Sequence, residues 1–159
     1  MRSATDILRD EHYVILDWLG RLEVAAARLE SGDTLPEGLW TGLLEWFRSF
    51  ADDRHHAKEE NALFPAMIKG GVPARGGPVD VMLEDHGECR ALLATMAASP
   101  PAARAAAARR YVVLLREHID KENEIVFPLA DAVLDAAAQA ALLREFAQAD
   151  AALGAATVS

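Results

Sequence analysis

The chain has 159 residues, a formal net charge of −9 and a hydrophobic fraction of 52%, enough apolar material for one well-buried core and too little length to expect a second. Its Lys and Arg residues are scattered through an acidic sequence, which excludes the basic footprint that nucleic acid or an anionic membrane demands. No apolar run approaches the roughly 18 residues of a membrane span and no apolar h-region follows the first Met, so a single cytoplasmic domain over 1–159 is expected.

Apolar residues recur at helical spacing almost throughout, and alternating β-branched runs are absent, which makes the class all-α. The first helix is expected to open at Thr5 or Asp6 and run to about Glu30, where Ser31, Gly32, Asp33 and Pro36 break it. A second covers about 37–69 and stops in a loop holding Gly70, Gly71, Pro73, Gly76, Gly77 and Pro78. The third covers about 79–98 and the fourth about 102–134. A short Ala-rich helix closes the chain over about 137–152. Long helices on short connections predict an antiparallel up-down four-helix bundle, here over about 5–135, with a short extra C-terminal helix.

Steps of three and four residues pick out the inward seam of each helix. Helix one gives Leu8, His12, Ile15, Leu19, Leu22, Ala26 and Leu29. Helix two gives Trp40, Leu44, Phe47, Ala51, His55, Glu59 and Ala62. Helix three gives Val79, Met82, His86, Cys89, Leu93 and Met96, and helix four gives Tyr111, Leu115, His118, Glu122, Ile125 and Leu129. Each seam carries one histidine. Four imidazoles and two carboxylates in an apolar interior are costly unless something satisfies them, and a pair of metal ions would do so.

Two stretches repeat each other: His55-His-Ala-Lys-Glu59-Glu-Asn-Ala-Leu-Phe-Pro65 and His118-Ile-Asp-Lys-Glu122-Asn-Glu-Ile-Val-Phe-Pro128. Each holds His-x-x-x-Glu, the spacing that aims both side chains at one spot from an α-helix. His56 and Glu60 have the same spacing and form the alternative pair. Aligning the copies on Phe-Pro sets His55 against His118 and His56 against Ile119. The α-helical face of His56 also runs back through Asp53, Asp52, Ser49 and Glu45, a water-facing strip, so the ligand assignment goes to His55 and Glu59 and His56 is placed outside the first ring of ligands or at the surface. The expected ligands are His12, His55, Glu59, His86, His118 and Glu122. Glu11, Asp85 and Glu88 flank them, facing solvent or orienting imidazole N–H groups. Cys89 reads as a small buried hydrophobe, and a lone cysteine leaves no internal disulfide and no Cys-x-x-Cys-His haem attachment.

Four nitrogens and two carboxylates exceed one tetrahedral zinc and lack the all-oxygen character of a magnesium or calcium site. Two first-row metals fit, with iron expected and Mn or Zn as possible substitutes. With Glu59 and Glu122 bridging and an oxo or hydroxo group between the ions, about one position stays free for O2, H2O2 or NO.

These motifs, with the segments ending Asp-Glu-His12 and Glu-Asp-His86, resemble in order those of the hemerythrin-like, or HHE cation-binding, domains over about residues 5–135. The resemblance implies a four-helix bundle with a non-haem di-iron centre, His12, His55, His86 and His118 as terminal ligands, and Glu59 and Glu122 as bridges. Oxygen-carrying members have a second histidine four residues on in the third helix, where this chain has Arg90. A missing fifth imidazole implies a more open iron and favours redox chemistry, as in a peroxide- or NO-consuming oxidoreductase, over oxygen storage. The four-His, two-Glu pattern also resembles the iron-centre repair proteins, so an iron-binding, redox-sensing or repair module without turnover is the alternative.

Overall fold

The computed structural model describes residues 2–158, and every regular element among them is helical. Helix α1 (Ala4–Glu30) starts earlier than Thr5 because Ser3 is its cap. The Ser3 hydroxyl accepts from the Asp6 N–H, and the Asp6 carboxylate accepts from the Ser3 N–H at 2.9 Å, a reciprocal pair that satisfies two otherwise orphaned donors. Thr5, expected as a possible cap, instead donates its hydroxyl to Asp131 at 2.7 Å.

The second rod, α2 over 39–69, is not a uniform α-helix. It begins α-helical (Leu39–Trp46), widens into π-helix at Phe47–His56 and again at Glu59–Leu63, and closes as α-helix (Phe64–Lys69). Helix α3 is Pro78–Ala98. The fourth rod, α4 over 101–133, repeats the device: α-helix at Pro101–Lys121, π-helix at Glu122–Val126, α-helix at Phe127–Val133. Each π stretch adjoins or contains residues of a His-x-x-x-Glu copy. Such stretches bond i to i+5, so the turn is wider and each residue advances by a smaller angle.

Contacts between rods fall in opposed order. Glu11 and Trp18 of α1 meet His55 and Trp46 of α2. Trp40 and Asp52 of α2 meet Met96 and Arg90 of α3. Asp85 and Glu88 of α3 meet His118 and Arg110 of α4, and Arg109 and Asn123 of α4 meet Glu30 and His12 of α1. Numbers rise along one rod as they fall along its neighbour.

The expected seams are buried with three exceptions: Leu29 is only partly buried, Ile125 is 55% exposed, and Leu129 is only partly buried. The π turn after Glu122 is the reason for the second, because it carries Val126 and Phe127 inward in place of Ile125. The buried apolar residues form two clusters. One contains Ile15, Ala51, Cys89 and Leu115; the other contains Leu8, Ala62, Met82 and Val126. On every rod the polar seam residues lie between members of the two, so a polar layer crosses the molecule with oily packing on both sides.

Helix α5 (Ala136–Val158) has 23 residues and is longer than the sequence suggested. No proline interrupts it. Leu142 and Phe146 enter the second cluster, each such burial contributing about 1.5–3 kcal/mol, and Gln139 accepts from the Ala4 N–H at 3.1 Å.

Candidate metal centre

Seven buried donors meet in the polar layer. His56, Glu59, His86 and His118 form one group and His12, His55, Glu59 and Glu122 another, with the donor atoms of each group within 4.8 Å of one another. Glu59 belongs to both. Its Oε2 lies 3.3 Å from His55 Nε2 and its Oε1 lies 3.1 Å from His86 Nε2. Glu122 Oε1 lies 3.1 Å from His12 Nε2 and 3.2 Å from His118 Nε2. Each carboxylate thus faces imidazoles of both groups.

The outward nitrogens of four imidazoles are tied to oxygens. His12 Nδ1 meets Asn123 Oδ1 at 2.8 Å, His55 Nδ1 meets Glu11 at 3.0 Å, His86 Nδ1 meets Glu60 at 2.7 Å and His118 Nδ1 meets Asp85 at 3.0 Å. With the proton on Nδ1, the Nε2 lone pair of each ring is aimed inward, the arrangement that orients a metal-binding histidine.

The electrostatics of the protein alone follow from this crowding. Burial disfavours charge on His55, but Glu59, Glu11 and Glu122 outweigh it and raise its pKa well above the ordinary imidazole value. His118 is likewise opposed by burial and lifted by Glu122 and Asp85, to about 10. Glu122 is opposed by burial and held well below the usual carboxylate range by His118, His12 and His55. His56 goes the other way: burial and the neighbouring His86 and His118 push it well below the ordinary value against the pull of Asp52, and neither of its ring nitrogens has a hydrogen-bond partner. Burial, with Asp85 and Glu88, pushes the Cys89 thiol up to about 12, and Cys89 lies outside both donor groups.

All six residues expected as ligands lie in this layer. His56, expected outside the first ring of ligands or at the surface, is buried in the same layer. The residue is 1% exposed and its ring stacks on His86 with centroids 3.8 Å apart. The water-facing strip was drawn with an α-helical step, whereas Phe47–His56 is π-helical, and the smaller angle per residue turns both His55 and His56 inward. Inward imidazoles therefore number five, with α2 supplying the one that α3 lacks. Arg90, one turn past His86, serves the carboxylates around the layer: its guanidinium binds Asp52 at 3.0 Å and pairs with Glu60. Asp52 in turn lies 3.5 Å from His56 Nδ1.

Glu60, the alternative ligand, is outside both groups and accepts from His86. Glu11 and Asp85 orient imidazoles, whereas Glu88 is exposed and pairs with Arg110. Asn123 is not singled out by the sequence, since contacts between rods leave no trace in spacing along one rod, and Asp52, expected on a water-facing strip, instead binds Arg90 of α3.

The donor set fits metal ions. Among the described residues, every buried side-chain nitrogen or oxygen without a hydrogen-bond partner belongs to His55, His56, Glu59, His86, His118 or Glu122, apart from Asp150 Oδ1, whose contacts with Lys58 and Arg54 are ion pairs. Leaving so many groups unsatisfied in an interior costs about 1–3 kcal/mol for each neutral one. Cations at the centre of each group would satisfy them, and mixed imidazole and carboxylate donors suit first-row transition metals.

The family model described as hemerythrin HHE cation binding domain matches residues 3–130. No curated protein and no solved structure matches the chain. Among the described residues, no helix is long and apolar enough to cross a membrane.

Proposed function

The chain belongs to the hemerythrin HHE cation-binding domain family, and from that premise we propose that it is a non-haem di-iron protein that binds or reacts with dioxygen, peroxide or nitric oxide. The observation that carries this reading is the sharing of Glu59 between two four-donor groups: one carboxylate common to two ligand sets is what a paired-ion site requires. On this reading His56, His86 and His118 would hold one ion, His12 and His55 the other, with Glu59 and Glu122 available to both. Iron, when bound, supplies redox electrons and a coordination position for a small ligand.

The remaining roles belong to the chain itself. Glu11, Glu60, Asp85 and Asn123 hold the Nδ1 protons of their partner rings and so keep each lone pair aimed. The apolar clusters on either side of the layer exclude water. His12 and His55 number one imidazole fewer than the opposite group, so an ion held on their side would have fewer protein donors and more room for a small oxidant. The site belongs on this reading to a single-domain, antiparallel up-down four-helix bundle with a fifth helix, working in the cytoplasm.

Rapid-mixing absorption spectroscopy of the reduced, iron-loaded protein against O2, H2O2 and NO tests the proposal. A stable and reversible oxygen adduct indicates carriage, and repeated peroxide or nitric oxide consumption indicates an oxidoreductase. An iron-loaded protein whose spectrum responds to none of the three would contradict it.

A further inference from the structure

Lys58 is 2% exposed, an ammonium where an unpaired charge is costly. It lies three residues past His55, and two carboxylates from other helices reach it: Glu11 Oε2 of α1 at 2.6 Å and Asp150 Oδ1 of α5 at 2.8 Å. The Phe146 ring of α5 adds its face, with its centroid 5.7 Å from Nζ. The other Glu11 oxygen accepts from His55 Nδ1. Arg54, on the same rod as Lys58, reaches the same Asp150 oxygen at 3.1 Å. A continuous series of charged contacts therefore runs from the fifth helix through Lys58 and Glu11 to an imidazole of the metal layer.

We propose that Asp150 is a positioning residue for the metal centre: by holding Lys58 from α5 it fixes Glu11, and through Glu11 the aim and tautomer of His55. The inference rests on the di-iron reading above and adds that the ion on the His12 and His55 side depends on the C-terminal helix. The second copy of the motif marks the contrast. Lys121 stands where Lys58 does and donates to Asp85, which accepts from His118, but its side chain is 38% exposed, which leaves its charge open to solvent. With Asp150 neutralised, the buried Lys58 has a single anion left for its charge, and it draws Glu11 away from His55. Nothing equivalent threatens His118.

The test is anaerobic ferrous iron titration of the full chain, read by bound iron and by its absorption spectrum, in wild type and three variants. Asp150→Asn is expected to keep one tight iron and to weaken the other roughly ten-fold or more, the usual size for loss of an outer partner. Asp150→Glu, which keeps the charge, is expected to restore it. Gln139→Ala unties α5 from the Ala4 N–H without touching Lys58 and is expected to bind both irons, with helicity by circular dichroism equal in all four proteins. Wild-type affinity and spectrum in Asp150→Asn would overturn the inference alone. Loss of the same iron in Gln139→Ala would overturn it too, by assigning the effect to helix docking. A wild type that takes up no iron would sink the di-iron reading with it.

Discussion

The two His-x-x-x-Glu copies carry the same donor types and differ in what surrounds them. At His118 the following residue is Ile119, a buried hydrophobe, and the companion lysine is partly open to solvent. At His55 the following residue is a second buried imidazole, and the companion lysine is sealed beneath a fifth helix. A repeated motif thus duplicates the donors, while neighbouring residues make the two ends of the centre unequal. One copy gives the layer an imidazole and a carboxylate. The other gives two imidazoles and the carboxylate that both groups share.

The comparison breaks most completely at Glu59 and Glu122. Glu59→Ala and Glu122→Ala are each expected to lose all bound iron, because each carboxylate faces imidazoles of both groups; metal analysis after anaerobic reconstitution checks this. Retention of one tight iron in Glu59→Ala would mean that the groups are independent.

The position after each first histidine sharpens the contrast. His56→Ala is expected to weaken one iron ten-fold or more and to change the absorption spectrum. Ile119→Ala, at the matching place in the other copy, is expected to cost about 2–4 kcal/mol of stability by thermal unfolding and to leave iron content unchanged.

Smaller effects separate the lysines. Lys58→Met removes the cation between two carboxylates in a covered site and is expected to destabilise the protein by about 3 kcal/mol. Lys121→Met, at a pair more than a third exposed on the lysine side, is expected to cost less than about 1 kcal/mol. Equal losses in denaturant unfolding would erase the distinction between the copies.

The smallest expected effect lies away from the centre, at the α1 cap. Hydrogen bonds from the Ser3 backbone and hydroxyl hold the Asp6 carboxyl below its ordinary value of 3.8. A depressed folded-state pKa stabilises above the unfolded value and is lost as pH falls through the folded one. The gap in thermal midpoint between wild type and Asp6→Ala is therefore expected to be present at neutral pH and to close below pH 3.8, with iron binding at neutral pH unchanged.

Much of this molecule is legible along the chain. Gly and Pro clusters mark the ends of the rods within a few residues, and the seams identify His12, His55, Glu59, His86, His118 and Glu122 as inward. What failed did so where the helix changes its step. His56 was turned outward and Ile125 inward by an α-helical angle applied to residues in or beside π turns, and nothing in their composition announces the wider turn. Glu60, Asn123 and Lys58 find their partners on other rods, 26, 111 and 47 residues away, so their roles become visible only once the rods are packed. The cap moved from Thr5 to Ser3 for a local reason: Ser3 has an acidic partner three residues on, which completes the reciprocal pair.

The central claim is that seven buried donors from four rods make one site for two ions. Anomalous diffraction at the iron edge, from crystals of the iron-loaded protein, tests it most directly. Two peaks are expected on either side of Glu59, one within bonding reach of His12 and His55 and the other of His56, His86 and His118. A single peak, or none in the layer between Glu59 and Glu122, would contradict it.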